Sequence, residues 1–160
     1  MIRYSKSSDI EQIKSLLYIC FGEMVEKENA LDNIENGRYL LYFIEDRIVA
    51  LTALTFNNEF RGIQISWTCT HPDFRHKGYM QELFKRLILS TDEDIYCNCW
   101  YIDNNAVNLK TLMKLFNFKL VIKDMFKRNI KHNCNIYKDC PYKKENCSCG
   151  NDLYLRKGIS

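Results

Sequence analysis

The ten residues from His71 to Met80, which read HPDFRHKGYM, constrain the fold of this 160-residue chain most strongly. An alternating, strand-like segment at 63–69 precedes them, and apolar residues at helical spacing follow them. Pro72 lacks a backbone N–H group, so the ladder of the strand is expected to stop there. The stretch therefore predicts a strand that turns sharply and enters an amphipathic helix.

This turn also has the chemistry of an anion-binding site. The first turn of a helix leaves backbone N–H groups unpaired and carries a partial positive charge. Gly78 lets a phosphate approach the backbone closely, and Arg75 and Lys77 add two full charges. These features favour a dianionic group such as a pyrophosphate. The simpler alternative is a basic, glycine-containing turn that binds nothing.

The periodicity of apolar residues predicts the remaining elements. Strands are expected at 2–4, 39–44, 48–56, 63–69, 95–102, 118–125 and 153–155, and helices at 10–21, 23–37 and from a cap at 103–105 to Asn117. The strand at 95–102 follows a crossover helix, so it should lie parallel to the strand at 63–69. The other neighbouring strands are expected to be antiparallel.

The stretch HPDFRHKGYM, followed by Leu83 and Phe84, resembles the acyl-CoA motif of the GNAT superfamily of N-acyltransferases. The segment from Asn105 to Phe118 is similar to a second signature of that family, a helix led by asparagine. The resemblance implies an α/β (α+β) fold, in which a mixed, mostly antiparallel sheet carries flanking helices and a central, splayed pair of parallel strands. We expect residues 1–160 to form one such domain.

The resemblance further implies how acetyl-CoA would bind. Backbone amides of the turn would hold its pyrophosphate, namely those of Arg75, His76, Lys77, Gly78, Tyr79 and Met80. The backbone of Thr68, Cys69 and Thr70 would pair with the pantetheine arm, and an N–H group there would polarise the thioester carbonyl. Asn105 or Asn108 would contact the arm from the following helix.

The chain departs from the family pattern at the positions of the catalytic groups. Met80 stands where the family usually has glycine or alanine, and is expected to turn into the core. The tyrosine that often donates a proton to the leaving thiolate is absent, because leucines occupy the matching positions 112 and 115. The fourth strand offers no carboxylate. No general base is assigned; Tyr101 and Glu59 are weak catalytic candidates, each with an ordinary structural role as the alternative.

A cysteine-rich insert at 129–151 interrupts the last predicted hairpin. Its spacing is Cys134-x5-Cys140-x6-Cys147-x-Cys149. Four thiolates can enclose one structural Zn²⁺ and order a loop that lacks a core. Disulfides and free thiols stay open as alternatives.

Charge is distributed unevenly along the chain. Residues 1–109 hold 11 Lys/Arg against 16 Asp/Glu, whereas residues 110–160 hold 12 against 4. No apolar run reaches the length of a membrane span and no export signal is evident, so a cytoplasmic protein that does not bind membranes is expected.

The predicted function is transfer of an acetyl group from acetyl-CoA to a primary amine. Alternatives are a non-catalytic CoA-binding protein, or a zinc-containing nucleic-acid-binding module; a homodimer is also open.

Overall fold

The computed structural model describes residues 1–22, 25, 38–102, 105–106, 109–123, 128–129 and 148–158. Within them the strands are β1 (Ile2–Tyr4), β2 (Tyr39–Ile44), β3 (Arg47–Asn57), β4 (Gly62–Thr70), β5 (Asp94–Ile102), β6 (Asn105–Ala106), β7 (Lys119–Ile122), β8 (Arg128–Asn129) and β9 (Ser148–Arg156). The helices are α1 (Ile10–Phe21), α2 (Tyr79–Leu89) and α3 (Leu109–Leu115). The predicted second helix at 23–37 lies almost entirely outside the described residues.

The strands form one mixed sheet in the order β1-β2-β3-β4-β5-β9-β7, with β6 paired to β5 and β8 to β9. The β4–β5 pair is parallel, and every other pair among the described strands is antiparallel. The crossover through α2 explains this exception. The helix carries the chain back to the end of the sheet where β4 began, so β5 runs in the same direction as β4. The predicted parallel pair and the predicted mixed sheet are confirmed.

A helical layer covers each face of the sheet. The apolar stripe of α1 packs on one face, against a cluster that includes Leu41, Leu51 and Cys69. The stripes of α2 and α3 pack on the other face, against Ile65 and Cys97 among others. Alternation of side chains along each strand produces this division, since neighbouring residues point to opposite faces.

The two parallel strands separate halfway along their length. Their register runs from Gly62 opposite Asp94 to Ile65 opposite Cys97 and then ends. At this point β4 has a bulge, because its register with β3 shifts so that Ser66 and Trp67 together oppose one residue. A bulge bends its strand and increases the local twist. Beyond it, β4 stays paired with β3, and β5 stays paired with β9.

The chain after β5 differs from the sequence prediction. Asn105 does not cap a helix; it lies in the two-residue strand β6, whose backbone pairs with Ile102 of β5. The helix begins only at Leu109. The helix ends at the predicted Asn117 in a left-handed conformation, since Asn117 has a φ of 59° and the Phe118 N–H donates to the Met113 carbonyl over 2.8 Å.

A buried ion pair fixes α1 to the edge of the sheet. Arg3 donates to both carboxylate oxygens of Asp9, over 2.6 and 2.8 Å, and the Lys6 amide donates to the same carboxylate over 2.7 Å. Asp9 is only 4% exposed. The hydrogen bond from Arg3 is the main reason that the pKa of Asp9 lies below its usual value.

We expect Asp9→Asn to lower the free energy of unfolding at neutral pH by about 1.5–3 kcal/mol, the range for hydrogen bonds to charged groups. Because the folded pKa of Asp9 is lowered, its stabilisation is present above the unfolded pKa of about 3.9 and disappears as the pH falls through the folded value. Urea denaturation at a series of pH values will measure both effects. Glu11→Gln is the control, because Glu11 is exposed and, within the described ranges, pairs with Lys14 alone, at 3.5 Å. Equal losses in the two variants would contradict the assignment.

Candidate functional site

The turn between β4 and α2 exposes a row of backbone amides. His76 and Gly78 both have positive φ angles, of 61° and 83°, with Lys77 between them. Alternating backbone conformations of this kind turn successive N–H groups toward one concave surface, which suits an anion. Among the described residues, no acceptor is found for the amides of His76, Lys77 and Gly78. The N-terminus of α2 directly follows and adds its own first-turn amides.

A buried histidine holds the base of this turn. His71 is 8% exposed, and its Nε2 atom lies 2.7 Å from Nη2 of Arg47. A guanidinium can only donate, so Nε2 accepts this hydrogen bond, and Nδ1 lies 3.3 Å from the Asp73 amide, which donates to it. Phe74 packs its edge against the imidazole, and the Lys77 ammonium lies 5.0 Å from the centre of the Phe74 ring. These contacts place the Lys77 charge beside the exposed amides.

Three further residues of the quoted stretch occupy distinct environments. Arg75 is exposed, and its Nε donates to the Thr70 carbonyl over 3.2 Å. The Tyr79 ring packs against Tyr42 with 4.7 Å between ring centres, which anchors the first turn of α2 on the sheet. Met80 packs against the core below α2, as expected for the residue that replaces a small one.

The edge of β4 that faces β5 is open where the arm of acetyl-CoA was predicted to pair. Thr68, Cys69 and Thr70 keep their pairing with β3 but have no partner in the described part of β5. The Thr70 carbonyl already accepts from Arg75 and from Cys20, the latter over 3.6 Å. Because hydrogen-bonded pairs alternate along an antiparallel ladder and the His71 N–H donates to Val49, Cys69 turns its backbone groups toward β3. The backbone of Thr68 and the N–H of Thr70 therefore remain for pairing at the open edge.

The remaining predicted site residues are not all brought to this edge. Glu59 is exposed in the turn before β4, near the end of the sheet where β4 and β5 are still paired. Tyr101 lies near the end of β5, opposite Gly150 of β9, and its side chain is outside the described part of the structure. The same holds for the side chain of Asn105 and for all of Asn108.

The zinc prediction stays a prediction. Cys134, Cys140 and Cys147 lie outside the described residues, and Cys149 is buried in β9 opposite Ile102. Within the described ranges, no group of three His, Cys, Asp or Glu side chains is arranged to hold a metal ion. No described helix combines the length and apolar character needed to cross a bilayer.

Sequence analysis overlooked a thiol pair beside the turn. Cys20 at the end of α1 reaches Cys69 and the Arg75 guanidinium. The hydrogen bond from Cys69 is the main cause of a lowered pKa at Cys20, and the nearby Arg75 charge acts in the same direction. Burial keeps Cys69 itself protonated by raising its pKa. Only the tertiary contact between α1 and β4 reveals the pair, because 49 positions separate the two cysteines.

We expect Cys20 to react as a thiolate at a lower pH than an ordinary cysteine, and Cys69→Ala to move its reactivity to higher pH because the donor is lost. Labelling with methyl methanethiosulfonate, followed by peptide mass spectrometry across about pH 6–10, measures the midpoint. Arg75→Met should produce a smaller shift in the same direction. Cys97→Ser is the control, since Cys97 lies on β5 and hydrogen-bonds with Cys99 instead. An unchanged midpoint in Cys69→Ala would refute the pairing.

Several solved structures share this fold. An aminoglycoside 6'-N-acetyltransferase complexed with coenzyme A superposes with a TM-score of 0.71 at 10% identity, covering 100% of this chain and 98% of that chain. A GNAT-family acetyltransferase from Bacillus cereus ATCC 10987 gives 0.65 at 14% identity, with 100% and 98% covered. The ribosomal-protein-S18-alanine N-acetyltransferase of Escherichia coli gives 0.66 at 11% identity, with 100% and 96% covered. At these identities the likeness shows the fold.

Sequence comparison identifies the family. No curated protein matches the chain significantly. The sequence profile of the acetyltransferase (GNAT) domain matches residues 1–96, which include β1 to β4, the exposed amides and α2. Since this match spans more than half of the 160 residues and the fold agrees with it, the chain belongs to the GNAT acetyltransferase family.

Proposed function

We propose that this protein is an N-acetyltransferase that moves an acetyl group from acetyl-CoA to a primary amine by direct attack in a ternary complex. One observation carries the proposal: the amides of His76, Lys77 and Gly78 find no acceptor among the described residues, and they lie beside the open edge of β4. A diphosphate bound at the turn would leave an extended arm free to follow that edge. The coenzyme A bound to the aminoglycoside acetyltransferase and its shared fold support this choice of substrate.

The electrostatics of the turn fit a diphosphate. The start of α2 favours an anion by about 0.3–2 kcal/mol through its dipole. Arg75 and Lys77 supply two cations, and the exposed amides supply directed donors. Gly78 brings the backbone close, since its φ of 83° is a conformation that residues with a side chain rarely adopt.

In the reaction, the amine nitrogen attacks the thioester carbonyl carbon and the C–S bond breaks. The sulfur leaves with the bonding electrons as a thiolate, and the amine loses one proton. An unpaired N–H group of β4 is suited to stabilise the oxyanion that forms in between. No residue of β4 carries a carboxylate, so we assign the proton to water and most of the acceleration to alignment of the two substrates.

A CoA-binding protein without catalytic activity is the second candidate. It is favoured by the same lack of a carboxylate on β4, and by Leu112 and Leu115 at the positions where the family often has a tyrosine. The two candidates share the acetyl-CoA site and differ in turnover. For the enzyme, the acceptor is a small amine, a protein lysine or a protein N-terminus.

We expect Arg75→Gln combined with Lys77→Gln to weaken acetyl-CoA binding at least about tenfold, because charge-assisted hydrogen bonds contribute about 1.5–3 kcal/mol each. Isothermal calorimetry at two salt concentrations measures the loss and its screening. Gly78→Ala should also weaken binding. Its Cβ would meet only Gln81 at 3.8 Å, so the strain would come from the left-handed backbone and not from crowding.

Arg86→Gln provides the matched control, because Arg86 is an exposed cation in the last turn of the same helix. Its affinity for acetyl-CoA should equal that of the wild type. Equal weakening in both variants would indicate a general charge effect, and no heat of binding in the wild type would refute the proposed function. Release of free thiol in the presence of an amine then separates the enzyme from the non-catalytic candidate.

A further inference from the structure

Asn98 lies at the point where β5 separates from β4. Its neighbour Cys97 is the last residue that pairs with β4, so Asn98 is the first residue beyond the point of separation. Cys97 and Cys99 both pack in the core below α2 and α3. Because side chains alternate along a strand, Asn98 points to the opposite face, which is the face that α1 covers.

The side-chain carbonyl oxygen of Asn98 is sealed from solvent, and within the described part of the chain it has no hydrogen-bond partner. Burial of an unsatisfied acceptor costs free energy, and folded proteins pair the great majority of such groups. Hydrophobic residues of the same volume would avoid this cost. An acceptor that persists unpaired at the mouth of a substrate cleft suggests that a ligand supplies the missing donor.

Two tryptophans lie on the same face of the sheet as Asn98. Trp67 of β4 packs with Phe21 on the α1 face, with ring centres 5.1 Å apart. Trp100 lies two residues beyond Asn98 and hence on the same face of β5. Both indoles are partly exposed. A neutral acceptor on the face that carries these indoles suits an N–H donor that carries apolar carbon.

We propose that the Asn98 carbonyl binds the amine of the acetyl acceptor and directs its lone pair toward the thioester; this inference rests on the proposed function. A neutral acceptor is well matched to this task. A carboxylate there would stabilise the ammonium form of the acceptor and raise its pKa, leaving less of the neutral nucleophile. The amide orients the amine through a hydrogen bond without adding a full charge.

The test compares Asn98→Leu and Asn98→Asp with the wild type. Thiol release from acetyl-CoA is measured with spermidine, Nα-acetyl-lysine amide, an unblocked tetrapeptide and kanamycin, and melting temperature is recorded for each variant. Asn98→Leu should lower kcat/KM for the accepted amine roughly ten- to hundredfold, the loss expected for one transition-state hydrogen bond, while KM for acetyl-CoA stays unchanged. Its melting temperature should stay level or rise, because an unsatisfied acceptor is removed.

The Asn98→Asp variant tests contact with the amine through the pH–rate profile, which would not change if Asn98 were only structural. It keeps an oxygen acceptor of the same shape, so it should retain more activity than Asn98→Leu. Its added charge should shift the pH–rate profile to higher pH, because the bound amine then loses its proton less readily. An unshifted profile would argue against contact between residue 98 and the amine.

Asn57→Leu serves as the control, because Asn57 has partners: its amide donates to Gln64 over 2.8 Å and its carbonyl accepts from two backbone amides. This variant should lower the melting temperature and leave KM for the amine unchanged. If Asn98→Leu behaves in the same way, Asn98 is structural and the inference fails while the proposed function stands. If the wild type binds acetyl-CoA but releases no thiol with any amine, both the transferase proposal and this inference fail.

Discussion

The separation of β4 from β5 is the constraint on which the rest of the structure depends. Parallel pairing stops at Ile65 and Cys97, and the bulge at Ser66 and Trp67 turns β4 away at that point. Both strands remain in the sheet, because β4 stays paired with β3 and β5 stays paired with β9. The sheet can therefore expose backbone groups in its centre without losing its core.

The two faces of the sheet carry different chemical groups around this opening. The turn that ends in Gly78 offers donors and positive charge next to α2, which packs on one face. Cys20, Trp67 and Asn98 lie on the α1 face, where an acceptor would approach. Under the proposed function, a substrate that spans the opening would contact both faces.

The family pattern tolerates the substitutions seen here because the proposed anion site consists mainly of backbone amides. An amide donates whether its residue is glycine, alanine or methionine, provided that the side chain finds room, and Met80 finds it in the core. Catalytic side chains have no such freedom. The leucines at positions 112 and 115 cannot move a proton, so the proposed reaction depends on alignment of the two substrates.

Much of this architecture could be predicted because it depends on local patterns. Alternating apolar residues predicted the strands, the apolar stripe after Gly78 predicted α2, and the crossover rule predicted the parallel pair.

The site was predicted less completely. Asn105 looked like a helix cap, but it pairs with Ile102 in β6, and a backbone contact across a turn outweighs a weak capping preference. Three of the four cysteines of the predicted zinc site lie outside the described residues, so that prediction is unchanged.

The sequence by itself determined the order of the elements, the basic turn before α2 and the family, since these depend on the kinds of residue at short spacings. Tertiary structure alone decided where the parallel ladder stops, which thiols meet and which polar atom is left unpaired. Cys20 meets Cys69 through the packing of α1 on the sheet. The side-chain oxygen of Asn98, which follows the last residue paired with β4, has no partner among the described residues. Such features arise from contacts between distant segments, for which a linear pattern carries no signal.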